Sequence, residues 1–146
     1  MELPEDTPLL NWIHGRSPTD LWVGGLSGTI LHWNGSEWSD FSVEQDEAIW
    51  GIYAHSATEV ICVGGESRWG GESAKILRLE GDQFQSVELP PEHEELSNLF
   101  KVSHYNDRFW MIGVGGALIA LDNAIPTAIP TGITQDLVTI HKNVIV

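Results

Sequence analysis

The sequence predicts an all-β chain of four-stranded antiparallel units repeated about three and a half times. Three observations predict it. First, the chain repeats itself: Ser17, Thr19, Asp20 and Gly25 recur as Ser56, Thr58, Glu59 and Gly64, and Asp107–Gly113 (DRFWMIG) supplies a third copy. Second, strand-like runs rich in Val, Ile, Leu, Trp and Phe alternate with Gly, Asn, Asp and Ser turns. Third, no segment keeps an apolar period of about 3.6 residues, and the longest helix candidate, PPEHEELSNLF, is short. Asp20 lies 39 residues before Glu59, Glu59 lies 49 before Arg108, and Arg108 lies 35 before Asn143. That spacing is the length of a β-propeller blade, roughly 40–50 residues.

The elements follow in chain order. Residues 1–9 are rich in Pro and acids and read as a linker. Blade 1 (10–43) takes strands at Leu10–His14, Asp20–Gly24, Thr29–Trp33 and Glu37–Ser42, labelled A to D. Asn34-Gly35 joins C to D and signals a tight hairpin, because both central residues of such a turn need positive φ. Blade 2 (47–89) takes Ala48–Ala54, Thr58–Gly64, Lys75–Leu79 and Gln83–Glu88, with Glu80-Gly81 in the same turn register. Blade 3 (97–130) takes Asn98–Ser103, Arg108–Gly113, Ala117–Leu121 and a short D near Ile125–Ile129, with Asp122-Asn123 at the turn. A partial blade 4 (135–146) holds only A and B, at Leu137–His141 and Val144–Val146. Trp22, Trp33, Trp38, Trp110 and Phe84 read as packing between blades, and Cys62 as a buried, inert thiol.

The pattern Ser17-x-x-Asp20-Leu-Trp22-Val-Gly-Gly25…Gly28-Thr-Ile-Leu-His-Trp33-Asn-Gly35…Trp38 resembles bacterial β-propeller repeats of the photosystem II assembly-factor and sialidase-like (BNR-type) groups. The resemblance spans most of residues 10–130 and is closest in blade 1. It implies a propeller and says little about activity, because propellers host many chemistries. No copy carries the Ser-x-Asp-x-Gly-x-Thr-Trp box. Arg16, Arg68, Arg78 and Arg108 do not fall where they would converge on a sialic-acid carboxylate. The family's catalytic residues are therefore not carried over.

Propellers close with typically 4–8 blades, which removes their sheet edges. Three and a half blades cannot close alone. The expectation is a fragment of a longer reading frame or a subunit that completes a ring by oligomerising, with an open stack of three blades as a further alternative. Met1 as true start implies a cytoplasmic protein, because MELPEDTPLL lacks the basic and apolar regions of a signal peptide. A fragment of an exported propeller would instead be extracytoplasmic.

Composition narrows the partners. Seven Lys and Arg against 21 Asp and Glu give a formal charge of −14, which speaks against nucleic acid and anionic membranes. A single cysteine excludes an internal disulfide and a multi-Cys zinc site. No apolar run approaches the roughly 20 residues of a membrane span.

In the resembled fold the D–A connections and B–C loops share one face, usually the one that binds ligand. Eleven of the 21 acids fall in the leading segment and the D–A connections, among them Glu44, Asp46, Glu47, Glu92, Glu94 and Glu95. Glu66 and Glu72 of the second B–C loop join them. A face of one sign focuses potential and attracts cationic partners. The same acids also serve simply as solubilising loops, and no Asp-x-Asp-x-Asp-Gly loop supports calcium. The second B–C loop, GGESRWGGES (64–73), sets Arg68 and Trp69 at its tip, a stacking platform for a sugar ring or a partner's aromatic group unless Trp69 folds back on a neighbouring blade. Trp12, Trp50 and Phe100 lie at the starts of three A strands, on the rim of an axial channel, as packing or as ligand contacts.

His55, His104 and His141 fall at A–B turns in equivalent places, with His14 nearby. Histidines repeated around an axis can bind a transition metal, but adjacent blades set them too far apart to share one ion, so no metal is assigned. Gly113-Val-Gly115-Gly116 follows a strand but precedes no helix, so it is not a phosphate loop. No cofactor is implied. The functional expectation is a non-enzymatic binding or scaffold module whose acidic loop face engages a protein or carbohydrate. The alternative is a fragment of a sialidase-like or other carbohydrate-active propeller enzyme. A homo-oligomer that closes the ring is a further possible partner arrangement.

Overall fold

A computed structural model describes residues 1–68, 70–141 and 144–145, with side chains described through Ile140 apart from Trp69. The described chain is all-β, with no α-helix. Strands β1 (Leu10–Ser17), β2 (Asp20–Gly25), β3 (Ile30–Trp33) and β4 (Trp38–Asp40) form the first antiparallel sheet in sequence order. Strands β5 (Ala48–Ala54), β6 (Val60–Gly65), β7 (Lys75–Glu80) and β8 (Gln83–Val87) form the second. Strands β9 (Leu99–Tyr105), β10 (Arg108–Gly113), β11 (Leu118–Asp122) and β12 (Ile125–Ala128) form the third. Strands β13 (Ile140–His141) and β14 (Val144–Ile145) form a two-stranded pair after it. These are three blade-like units followed by a further pair, as the repeat predicts.

The units stack through apolar clusters laid between them. Trp22 and Ile30 of the first sheet meet Ile49, Ile52, Val60 and Leu77 of the second. Ile61, Val63 and Ile76 on the other side of the second sheet meet Val102, Phe109 and Met111 of the third. Ile112 and Leu118 meet Leu137 and Ile140. Neighbouring residues along β6 thus serve opposite clusters, which is the two-residue period of a strand buried on both faces. Cys62 is fully buried and unpaired, and burial pushes its thiol pKa well up, which keeps it protonated and inert.

Every unit carries the same irregularity. The first strand of each sheet holds one extra residue: Asn11 between Leu10 and Trp12, Trp50 between Ile49 and Gly51, and Phe100 between Leu99 and Lys101. A bulge of this kind re-aims one side chain and sharpens the local twist. Opposite each bulge stands a glycine, Gly25, Gly64 or Gly113, whose missing Cβ lets the backbone carbonyl of Leu9, Ala48 or Asn98 approach within van der Waals distance. The sequence repeat aligns these same three glycines.

The turns correct one expectation. Trp33 pairs with Trp38, so Asn34-Gly35 belongs to a four-residue loop and not a two-residue hairpin. Only Gly35 of the pair has positive φ. The Asn34 side chain explains this, because its Oδ1 accepts from the amides of Ser36 at 2.9 Å and Glu37 at 3.0 Å and so builds its own turn. Two-residue turns with positive φ at both residues lie elsewhere, at Asn106-Asp107 and Asn123-Ala124.

Trp22 and Phe84 lie in the cluster between the first two sheets, and Trp110 packs against the cluster beside β13. Trp33 and Trp38 depart from the expected packing role. They are half-buried and their rings meet at a tilt of 50°, with centroids 5.4 Å apart, on the side of the first sheet away from the second.

Candidate interaction face

Backbone hydrogen bonds tie the loops at one end of the stack into a single face. The Gly28 amide donates to the Glu47 carbonyl at 2.9 Å, Glu66 to Ser97 at 3.0 Å, Ala74 to Leu96 at 2.6 Å and Leu137 to Gly113 at 2.9 Å. The first three bonds join a loop between second and third strands to the connection entering the next unit, and the fourth joins the end of β10 to the connection after β12. The Gly115 amide adds a bond of 2.9 Å to the Asp136 carboxylate.

This face holds the acids singled out from the sequence. Glu44, Asp46, Glu66, Glu72, Glu92, Glu94 and Glu95 are all exposed on it. Glu47 is the exception: its carboxylate is mostly covered and lies 3.5 Å from the Lys75 ammonium. Asp46, Glu47 and Glu72 line one cleft with Gly70, Gly71 and Ser73. Glu88 and Glu94 border a second groove, where Lys75 is the basic residue.

The glycine-rich loop is ordered where it joins this face. Ser67 and Gly70 exchange backbone hydrogen bonds of 2.9 and 3.2 Å, which makes a miniature hairpin. Gly65, Gly70 and Gly71 supply its positive φ values. Gly71 lies so close to Glu47 that a Cβ there would come within 2.8 Å of the Glu47 Cα. The loop is thereby pressed onto the Glu44–Glu47 connection. Arg68 is exposed at the tip, and Trp69 lies outside the described residues.

The structure separates the three axial aromatic positions. Trp50 and Phe100 are bulge residues and share the position of Asn11, whereas Trp12 shares the position of Gly51 and Lys101. Trp12 packs against the cluster between the first and second sheets and donates from Nε1 to the Ile52 carbonyl at 3.2 Å. The Lys101 ammonium lies 4.7 Å from the centre of the Trp12 ring and 3.4 Å from the Thr139 hydroxyl. Trp50 turns outward and donates to the Glu66 carbonyl at 3.1 Å, which braces the glycine-rich loop. All three sheets carry the bulge, but Trp50 and Phe100 occupy it whereas Trp12 stands one residue after it.

The histidines gather at the opposite end and pack as rings. His14 packs at a tilt against Tyr53 with centroids 4.4 Å apart, and His55 stacks on His104 at 3.8 Å. Register places His104 opposite Phe109 and Ala54 opposite Val60, so His104 corresponds to Ala54 and not to His55. The expected equivalence of the two histidines therefore fails by one residue. Among the described residues no group of three or more His, Cys, Asp or Glu could hold a metal ion. The side chain of His141 lies outside the described set.

These rings predict acid sensitivity. His14 Nδ1 accepts the Ala54 amide at 3.1 Å, which requires a lone pair on that nitrogen. Burial lowers the His14 pKa from 6.5, with the Asp20 charge opposing. Burial also lowers the His104 pKa, the charge of His55 lowers it further, and Glu59 and Asp107 oppose. The folded chain then binds fewer protons than the unfolded chain below the unfolded value of 6.5. Stability is complete above that value and falls as pH drops through the lowered folded values. Urea midpoints at about pH 7.5 and about pH 5.5 should show the loss, and His14→Gln should reduce the difference.

Asp20 sits near this end of the stack, where it accepts from Arg16 Nε at 2.6 Å and His32 Nε2 at 2.8 Å. Burial alone would raise its pKa, but the bonds from His32 and Arg16 outweigh burial and hold it below the usual carboxylate range. No described helix is long and apolar enough to cross a membrane. Compared with known proteins, the chain matches no family model and no curated sequence.

Proposed function

We propose that the chain is a non-enzymatic, propeller-type binding module whose acidic loop face holds a basic segment of a protein partner. The observation that carries this reading is the convergence of exposed carboxylates from three separate segments, 44–47, 66–72 and 92–95, on loops cross-linked by backbone hydrogen bonds. A cationic chain laid across them would meet charges whose mutual repulsion is already borne by the fold. Such a field speeds encounter and loses strength as salt rises.

The carbohydrate-active alternative finds less support. Arg16 pairs with Asp20, Arg78 with Glu80 and Arg108 with Asp122, each within its own sheet. Those pairs leave these three arginines apart from one another, where a carboxylate-bearing sugar would need them together.

The test is a titration with a Lys- and Arg-rich peptide against a neutral peptide of equal length. The basic peptide should bind, and tighter at low salt. Neutralising four exposed positions together, Glu44→Gln, Asp46→Asn, Glu66→Gln and Glu72→Gln, should weaken it about tenfold or more, which corresponds to about 1.4 kcal/mol. Equal affinity of the variant and the parent would reject the acidic face as the binding surface.

A further inference from the structure

The first strands of the sheets meet one another, Asn11 Nδ2 donating to the Ile49 carbonyl at 3.3 Å, whereas β4, β8 and β12 each end a sheet as its outer edge. An edge offers backbone N–H and C=O groups to any extended chain, and proteins blunt it by shortness, charge or proline. Strand β4 is three residues long and carries Asp40. Strand β12 carries Pro126. The turn Asn123-Ala124 closes on Asp122 and Ile125, so hydrogen-bonded pairs alternate from there and the Pro126 nitrogen faces outward. Proline thus removes an outward donor and leaves the ladder whole. Strand β8 has none of these devices: Gln83-Phe84-Gln85-Ser86-Val87 holds no charge and no proline. Gly81-Asp82 closes it on Glu80 and Gln83, so Phe84 stands where Pro126 stands, and the amides and carbonyls of Phe84 and Ser86 point outward. Among the described residues nothing hydrogen-bonds them.

A groove runs beside this edge, with Val87, Leu89 and Pro90 on one wall and Ile125 and Pro126 on the other. Ile125 is 67% exposed, an apolar side chain left without cover. Acids stand at both ends: Glu80 and Asp82 precede or flank the turn into β8, Glu88 follows the strand, and all three are exposed. Glu80 is shared with Arg78 at 3.6 Å, so Asp82 and Glu88 are the carboxylates that complement a cation here. We infer that β8 receives an extended segment of a protein partner as an added strand of the second sheet. The partner's backbone pairs with Phe84 and Ser86, which supplies affinity without regard to side chains. Its alternate side chains point into the groove, so they are apolar and β-branched. Lys or Arg at its two ends meets Asp82 and Glu88. This surface is separate from the loop face proposed above, and none of Glu44, Asp46, Glu66 or Glu72 belongs to it.

Amide hydrogen exchange with the peptide Lys-Lys-Val-Thr-Val-Thr-Val-Lys-Lys as probe tests this directly. The amides of Phe84 and Ser86 should exchange fast in the free chain and slow about tenfold or more when the peptide saturates it. The same peptide N-methylated on its valines, or on its threonines, keeps its side chains. One of the two should lose binding and the other keep it, because amides along a strand alternate in direction and only one set faces β8. Ser86→Pro removes an outward donor and should weaken binding about tenfold or more with an unchanged circular dichroism spectrum. Ile125→Lys, at a side chain already exposed, should weaken binding with the strand intact. The four-position acidic variant should still show the protection, which separates this contact from the proposed function. Unprotected Phe84 and Ser86 amides, equal behaviour of the two N-methylated peptides, or parental affinity in both variants would each overturn the inference.

Discussion

Gly64→Ala should be among the most damaging single substitutions in the chain. A Cβ at that position would lie 1.9 Å from the Ala48 carbonyl oxygen and 3.2 Å from the Ile49 Cα, both backbone atoms held in the β5–β6 ladder. Neither can rotate aside as a side chain would, so the strand must shift or the bulge at Trp50 must open. The expected cost is about 3 kcal/mol or more, the upper range for overpacking. Gly113→Ala meets the Asn98 carbonyl at 2.1 Å and should behave alike. Gly81→Ala is the contrast: nothing lies within 4 Å, so only the positive φ of +65° is strained, at about 1 kcal/mol. Denaturant midpoints for the three variants should fall in that order.

Trp22→Ala should cost about 3–5 kcal/mol, the range for emptying a buried tryptophan site. Trp22 is 2% exposed and is the largest side chain in the cluster joining the first and second sheets. Its ring stacks on His32 at 4.2 Å and meets Phe41 at 5.0 Å and Phe84 at 5.8 Å. Removing it leaves a cavity between units that lean on each other for stability, so the loss should loosen both sheets together. Trp22→Phe should cost much less. It keeps an aromatic ring in the stack and removes a buried Nε1–H that has no partner. Equal losses for Ala and Phe would show that ring packing is not what Trp22 contributes.

The periodicity of the chain exposed the architecture because each unit meets the same local demands. A strand buried on both faces needs continuous Val, Ile and Leu, and the bulge needs glycine opposite it, so VICVGG and DLWVGG announce both at once. The sharing of one face by the acids was implied by the resembled fold, because in an antiparallel sheet run in sequence order successive connections alternate between the two ends. What escaped was register. Trp50 and Phe100 align with Asn11 and not Trp12, and His104 aligns with Ala54 and not His55, because the hairpins differ in length: Ala54 pairs with Val60 but His104 with Phe109. Bulges arise from pairing between distant residues, and no local signal marks them.

Side-chain competition accounts for the turn that departed from expectation. Asn34 spends its carbonyl oxygen on three hydrogen bonds from Ser36 and Glu37 and thereby lengthens the loop. Asn123-Ala124 makes the tight turn instead, although Ala124 must hold a φ of +66° without the freedom of a glycine. The glycine-rich loop reads as mobile or as shaped by positive φ. The second reading describes it, because Ser67 and Gly70 close it and Trp50 braces it from below. The exposure of Trp33 and Trp38 was hidden for a different reason. Their composition is that of a packed seam, and only the stacking order shows that among the described residues no second sheet packs against that side.

Nuclear magnetic resonance mapping of a basic peptide onto the labelled chain would test the binding account most directly. The amides of residues 44–47, 66–73 and 92–96 should shift together and saturate with one affinity, and the shifts should collapse at high salt. Shifts confined to the opposite end, around His14, His55 and Tyr105, or no shifts at all, would contradict it.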